Sequence, residues 1–176
     1  MSRDTFASIL SLQIRADKAV VREGEEVKLV YSLVNRSNND VRILLWQTVY
    51  ATDFLKIFLH DNPLEMISFP KILYELKMKP DASDYILLKP GQEYQKSFSG
   101  KLVDGSLSNP LTQRKEKGIF LEFEDSVIVL GRKGVHIIKG VLHSSAEWAN
   151  YGRQNFGFDN VWVGSLESPS IKIVVN

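Results

Sequence analysis

The stretch that decides the fold runs from Glu26 to Trp46. It reads Glu26-Val-Lys-Leu-Val-Tyr-Ser-Leu-Val-Asn35, then Arg36-Ser-Asn-Asn39, then Asp40-Val-Arg-Ile-Leu-Leu-Trp46. The first run alternates with the period of two that a half-buried strand requires. Its apolar face holds Val27, Leu29, Tyr31 and Leu33, and its other face holds Lys28 and Ser32. The Ser/Asn/Asp run between the two stretches favours a chain reversal, so we predict a β-hairpin that needs a second layer over its apolar face.

In the rest of the sequence, short runs of apolar or alternating residues are bounded by Gly, Pro, Asn and Asp. These runs predict further strands along the whole chain. They cover residues 10–16, 20–21, 54–60, 64–67, 72–77, 85–89, 93–101, 118–122, 126–130, 134–142 and 170–175. We expect an all-β fold with little helix, an immunoglobulin-like antiparallel β-sandwich of about seven to nine strands. A closed barrel is the alternative. Residues 1–176 are expected to form a single domain, with 1–8 as a flexible N-terminal tail and 103–117 as a long loop.

Composition excludes several classes of function. The 176 residues carry a net charge of +1, so the basic excess of a nucleic-acid-binding protein is missing. The absence of cysteine excludes disulfides and thiolate metal sites. No run approaches the length of a membrane span, and residues 1–10 lack the apolar core of a signal peptide. We therefore expect a soluble, cytoplasmic protein, or an extracytoplasmic one if the N-terminus was trimmed.

Catalytic motifs are not found. The histidines His60, His136 and His143 have no metal-ligand spacing, and neither Gly-x-Ser-x-Gly nor a phosphate-binding glycine loop occurs. Glu122 and Glu124 share a strand face and could act as a carboxylate pair, although acidic clusters of this kind more often cap a hairpin. We accordingly predict no catalytic residue, no metal site and no cofactor.

The most suggestive segment runs from Trp148 to Trp162, where aromatic rings alternate with amide and charged side chains. Rings that stack and amides that orient a ligand are what a peptide-binding or sugar-binding surface needs. The candidate ligand-binding residues are Trp148, Tyr151, Arg153, Asn155, Phe156 and Phe158. In the alternative interpretation, this segment is a compact loop that buries its own rings. Trp46 and Trp162 are expected in the core.

Three phrases carry a resemblance to a known family. They are Asp84-Tyr-Ile-Leu-Leu-Lys-Pro-Gly-Gln-Glu93, the run from Leu29 to Val41, and Asn160-Val-Trp-Val-Gly-Ser-Leu-Glu-Ser168. Together they resemble the immunoglobulin-like accessory domain that precedes the catalytic domain of deuterolysin-like (aspzincin) zinc metalloproteases. The His-Glu-x-x-His motif of the catalytic half does not occur here. The resemblance therefore implies a fold and a protease-associated role, without peptidase activity.

The predicted function is a non-catalytic binding module whose partner is another protein. One alternative is a carbohydrate-binding module that uses residues 148–162. A second is an enzyme whose site is assembled across strands. We expect neither a nucleic-acid partner nor a membrane span, and an unpaired edge strand could recruit a partner by strand addition.

Overall fold

A computed structural model describes residues 9–45, 56–59, 68–70, 79–108, 113–123 and 126–176. Within these ranges the chain forms thirteen strands and one α-helix. The strands are β1 Leu10–Ala16, β2 Val20–Val21, β3 Glu26–Asn35, β4 Val41–Leu44, β5 Lys56–Leu59, β6 Ser68–Pro70, β7 Tyr85–Leu88, β8 Glu93–Ser108, β9 Lys115–Glu122, β10 Ser126–Val129, β11 Gly134–Ser144, β12 Gly164–Glu167 and β13 Ile171–Val175; the helix α1 spans Ala146–Phe156.

The strands form three sheets. The first has six strands in the order β1-β3-β8-β9-β10-β6, all paired antiparallel. The second has the order β12-β11-β13-β2, and β5 also pairs with β11. Only β2 and β13 pair in parallel among the described strands. The third sheet is a two-stranded ribbon of β4 and β7.

The first two sheets share one apolar core. Ile14, Leu29 and Leu121 of the first sheet lie in the same buried cluster as Ile138 and Ile173 of the second. Each of these side chains is at most 5% exposed, so the two sheets cover each other's apolar faces. The all-β class with antiparallel pairing is confirmed, and the immunoglobulin-like subtype stays a prediction.

The predicted hairpin between β3 and β4 is wrong. The apolar face of β3 is buried as expected, but β3 pairs with β1 along one edge and with β8 along the other. Because both of its edges are occupied, β4 has to pair elsewhere, and it pairs with β7. Val41 and Ile43 nevertheless pack into the same buried cluster as Leu33 of β3. The two runs share a core without sharing backbone hydrogen bonds.

The predicted long loop at 103–117 is also wrong for its described residues. Strand β8 continues to Ser108 and β9 begins at Lys115, with Asp104 opposite Ile119 and Ser106 opposite Lys117. Asp104, Gly105 and Ser106 are exposed, so this part of the strand shows no apolar alternation. Backbone pairing therefore extends the β8–β9 hairpin through residues whose side chains do not alternate between apolar and polar.

One further expectation is confirmed, and several others concern residues that the structure does not describe. The Pro90–Gly91 turn is confirmed, because Gly91 has φ +75° and the Gln92 N–H donates to the Lys89 carbonyl at 2.9 Å. The tail at 1–8, the strands at 64–67 and 72–77, and the side chains of Trp46, His60 and Glu124 lie outside the described residues.

Candidate functional site

The segment that we interpreted as an aromatic loop is a helix over most of its length. Helix α1 begins after Ser145, whose Oγ accepts a hydrogen bond from the Trp148 N–H at 3.4 Å. It ends at Gly157, where φ is +68° and the N–H donates to the Arg153 carbonyl at 3.1 Å. The loop prediction is therefore wrong for 148–156. The capping serine and the closing glycine were the available signals, but the apolar side chains do not make a long helical stripe.

The rings from this segment form an aromatic cluster around Tyr85 of β7. The aromatic cluster comprises Tyr85, Trp148, Tyr151, Phe156 and Phe158. Tyr85 lies edge-on to Phe156 and Phe158, with ring centroids 5.9 and 5.4 Å apart. Its hydroxyl donates to the Trp148 carbonyl at 2.8 Å. The helix is therefore held to the β4–β7 ribbon by one buried tyrosine.

The predicted binding residues divide into two groups. Trp148, Tyr151, Phe156 and Phe158 are half-buried members of the aromatic cluster. Arg153 and Asn155 are exposed on α1, and the Asn155 side-chain amide donates to the Tyr151 carbonyl at 2.9 Å. This packing fits the alternative in which the segment buries its own rings. A ligand-binding role for the six residues stays a prediction.

Sequence reasoning missed Arg42, which the structure brings to the aromatic cluster. Its backbone N–H donates to the Asn160 carbonyl at 3.0 Å, and its carbonyl accepts from the Trp162 N–H at 2.7 Å. The guanidinium carbon lies 4.0 Å from the centroid of the Phe158 ring. The alternation of β4 could have revealed it, because Val41 and Ile43 enter the core and Arg42 has to face the other way.

A second surface lies on the solvent side of the second sheet. Val174 of β13 pairs with Val20 of β2 on one side and with Val135 of β11 on the other. We call these three residues the valine row. Val20 is 46% exposed and Val135 is 50% exposed. The neighbouring residues Val21 and Val175 point into the core, so the row faces outward.

Cations border the valine row. Lys172 is exposed on the same face of β13 as Val174, and Lys133 and Arg22 are exposed near Val135 and Val20. In the part of the chain that the structure describes, none of the three forms an ion pair.

On the outer face of the first sheet, the exposed side chains of Gln13 and Gln95 flank the buried Ser32 across three strands.

The two histidines that the structure describes do not converge. His136 is buried, with its Nε2 2.8 Å from the Arg132 carbonyl oxygen, and His143 is exposed. Across the described ranges, no three His, Asp or Glu residues are grouped as metal ligands would be. In those same ranges, no helix has the length and apolarity that a membrane span requires.

Comparisons with known proteins assign no family. No protein-family model and no curated protein matches the chain. A β-glucosidase from Erythrobacter marinus, EmGH1, aligns with a TM-score of 0.39 at 10% identity, over 95% of this chain and 15% of that one. A mutant β-glucosidase from Listeria innocua in complex with laminaribiose aligns with a TM-score of 0.36 at 10% identity, over 95% of this chain and 16% of that one. The chain thus spans about a sixth of these enzymes, and likeness at this level assigns it neither a fold family nor an activity.

Proposed function

We propose that this protein is a non-catalytic binding module that contacts a protein partner through the valine row. The observation that carries the proposal is the exposure of Val20 and Val135, at 46% and 50%, beside Val174 on neighbouring strands. Single exposed apolar residues are common on protein surfaces, but a row across three paired strands is a continuous apolar strip. A partner that covers this strip removes its apolar area from water.

The charges around the strip indicate the chemistry of the partner. Lys172, Lys133 and Arg22 are exposed cations without ion pairs among the described residues, whereas Lys139 is already paired with Glu167. Complementary charge raises the association rate and selects partners more than it raises affinity. The partner therefore combines an apolar contact with an acidic rim. The protease-associated role implied by the family resemblance is one source of such a partner.

The experiment compares the wild type with Val135→Glu and with the matched control Val163→Glu. Val163 is 40% exposed and lies outside the valine row, so both variants place one carboxylate at an exposed valine. Circular dichroism first checks that each variant is folded. We expect one stoichiometric partner to be captured from the host lysate by the wild type and by Val163→Glu, and lost from Val135→Glu. Capture should weaken as salt rises, because the rim charges become screened.

Other outcomes overturn the proposal. A partner that Val135→Glu retains places the contact elsewhere on the fold. A dimer of this chain, detected by sedimentation and lost in Val135→Glu, makes a second copy the occupant of the valine row. A tryptophan fluorescence change with oligosaccharides, with no protein captured, favours the carbohydrate-binding alternative at residues 148–162.

A further inference from the structure

The backbone of Arg42 has a neighbouring segment on each edge of β4. Strand β4 pairs with β7 along one edge, and Arg42 bonds to the chain at Asn160 and Trp162 along the other. Its side chain therefore leaves a backbone that is fixed by three segments. It points to the same face of the ribbon as Tyr85, toward the aromatic cluster. A cation placed in this way loses little conformational freedom when it binds a ligand.

The Nε of the Arg42 guanidinium has no acceptor among the residues that the structure describes. This nitrogen is buried. Among the residues that the structure describes, none forms an ion pair with Arg42. Of the nearby acids, Asp84 accepts from the Asp81 N–H at 2.8 Å, and Asp159 is exposed. A buried donor without an acceptor destabilises the protein, so an unmatched guanidinium inside an aromatic cluster calls for a ligand that supplies oxygen atoms.

Apolar groups lie next to this cation. The Phe158 ring lies beneath the guanidinium, with its centroid 4.0 Å from the Arg42 Cζ. Leu87 is directly opposite Arg42 across the ribbon and is 38% exposed. Phe156 and Tyr151 extend the apolar surface with half-buried rings. The site therefore combines one planar cation with neighbouring apolar side chains.

We infer that Arg42, Phe158 and Leu87 form a recognition site for a carboxylate that carries an apolar or aromatic substituent. The flat guanidinium can donate two parallel N–H···O bonds to one carboxylate. Contact with the Phe158 ring holds the guanidinium in the plane that these two bonds require. Leu87 and the surrounding rings contact the substituent. The ligand is either the C-terminus of a peptide that ends in an apolar residue or a small aromatic acid. This site lies on the β4–β7 ribbon, away from the valine row, and the inference is independent of the proposed function.

The test uses N-acetyl-phenylalanine, with N-acetyl-phenylalanine amide as its uncharged counterpart. The readout is the shift of the backbone N–H signals of Leu87 and Phe158 during titration of the full chain, because these groups are present in the wild type and in every Arg42 variant. We expect a saturable shift with the acid and a dissociation constant at least about tenfold lower than that of the amide. A peptide ending in phenylalanine that binds more tightly than the single residue identifies a peptide C-terminus as the ligand. Equal binding identifies a small acid.

Variants separate recognition from folding. Arg42→Met keeps the apolar stem and should abolish the preference for the acid, and Arg42→Lys keeps the charge but should weaken binding about tenfold because the planar fork is lost. Arg15→Met, which removes an exposed arginine from β1 of the first sheet, should bind as the wild type does. Equal affinity for acid and amide overturns the inference, as does an unchanged affinity in Arg42→Lys. Inorganic phosphate that displaces the acid at equal concentration overturns the assignment to a carboxylate.

Discussion

The ring of Tyr85 lies so close to Gly152 that no side chain fits between them. A Cβ atom built on Gly152 would be 2.8 Å from the Tyr85 Cε1 and 3.0 Å from its Cζ. The ring cannot easily move away, because Phe156 and Phe158 pack against it and its hydroxyl is bonded to the Trp148 carbonyl. The position of α1 on the β4–β7 ribbon therefore depends on a glycine inside the helix.

Replacing Gly152 with alanine should destabilise the protein. In an exposed helix interior this change stabilises by up to about 1 kcal/mol, because alanine is the better helix former. Here the added methyl group overlaps the Tyr85 ring, and overpacking of this kind costs about 1–3 kcal/mol. Urea denaturation gives the free energy of unfolding. Gln154→Ala, at an exposed position of the same helix, is the control and should change that energy little. A Gly152→Ala variant as stable as the wild type would contradict the close packing.

Alkaline pH should weaken the attachment of α1. Burial, followed by Tyr151 and Asp84, raises the pKa of Tyr85 to about 12 from its usual 10.0. Between these two values the unfolded chain releases the phenolic proton and the folded chain keeps it, so stability falls as pH rises from about 10 toward 12. Burial also raises the pKa of Tyr31, which adds to the same dependence.

The substitution Tyr85→Phe tests whether the Tyr85 hydroxyl causes the pH dependence of stability. Tyr85→Phe should lower the melting temperature at pH 7, because the hydrogen bond from the Tyr85 hydroxyl to the Trp148 carbonyl is lost. The same variant should flatten the decline in melting temperature between pH 10 and 12. Thermal melts at a series of pH values measure both effects. If the melting temperature of Tyr85→Phe declines as steeply as that of the wild type between pH 10 and 12, Tyr85 is not the cause of the pH dependence.

Asn35 joins three segments and should tolerate no substitution. Its side-chain amide donates to the Leu88 carbonyl at 2.9 Å and to the Asn39 carbonyl at 2.7 Å, and its Oδ1 accepts from the Ser37 N–H at 2.9 Å. The residue is 0% exposed and its bond to the Leu88 carbonyl is buried, so removing the amide takes a donor away from a buried carbonyl. Asn35→Ala should cost about 2–4 kcal/mol of unfolding free energy. Asn38→Ala, in the exposed turn nearby, serves as the control and should be close to neutral.

Two glycines that face each other across β8 and β9 should respond differently to alanine. Gly118 has φ +142°, and a Cβ there would be 2.6 Å from the Gly131 carbonyl oxygen. Gly105, its partner in the register, has open space around the corresponding position. Gly118→Ala should therefore destabilise by about 2 kcal/mol or more, and Gly105→Ala should stay within about 0.5 kcal/mol. Similar unfolding midpoints for the two variants would rule out the close approach of Gly118 to Gly131.

Individual strands were predictable because their side chains alternate. Strand β1 was predicted at 10–16 and spans Leu10–Ala16, and the buried face of β3 holds the expected residues. The turn at Pro90–Gly91 was equally predictable, because proline restricts φ to the value needed at the first position and glycine adopts the positive φ needed at the second. These features depend on residues that are neighbours along the chain.

Pairing and surface chemistry were not predictable in the same way. The Asn-rich turn suggested that β3 and β4 pair, whereas β3 bonds to β1 and β8 and β4 bonds to β7. The residues that make up the valine row come from β2, β11 and β13, and the row exists only because those strands adjoin. Arg42 and Phe158 are likewise distant in the chain and adjacent in the fold.

The sequence by itself determined the all-β class, most strand positions and the absence of thiol chemistry, since composition and local alternation suffice for these. Only the assembled fold shows which strands pair, which rings surround Tyr85, and where exposed cations lie beside apolar surface. The physical reason is that burial and hydrogen bonding between distant segments depend on the assembled sheets. Those interactions override the local preferences that a single stretch of sequence expresses.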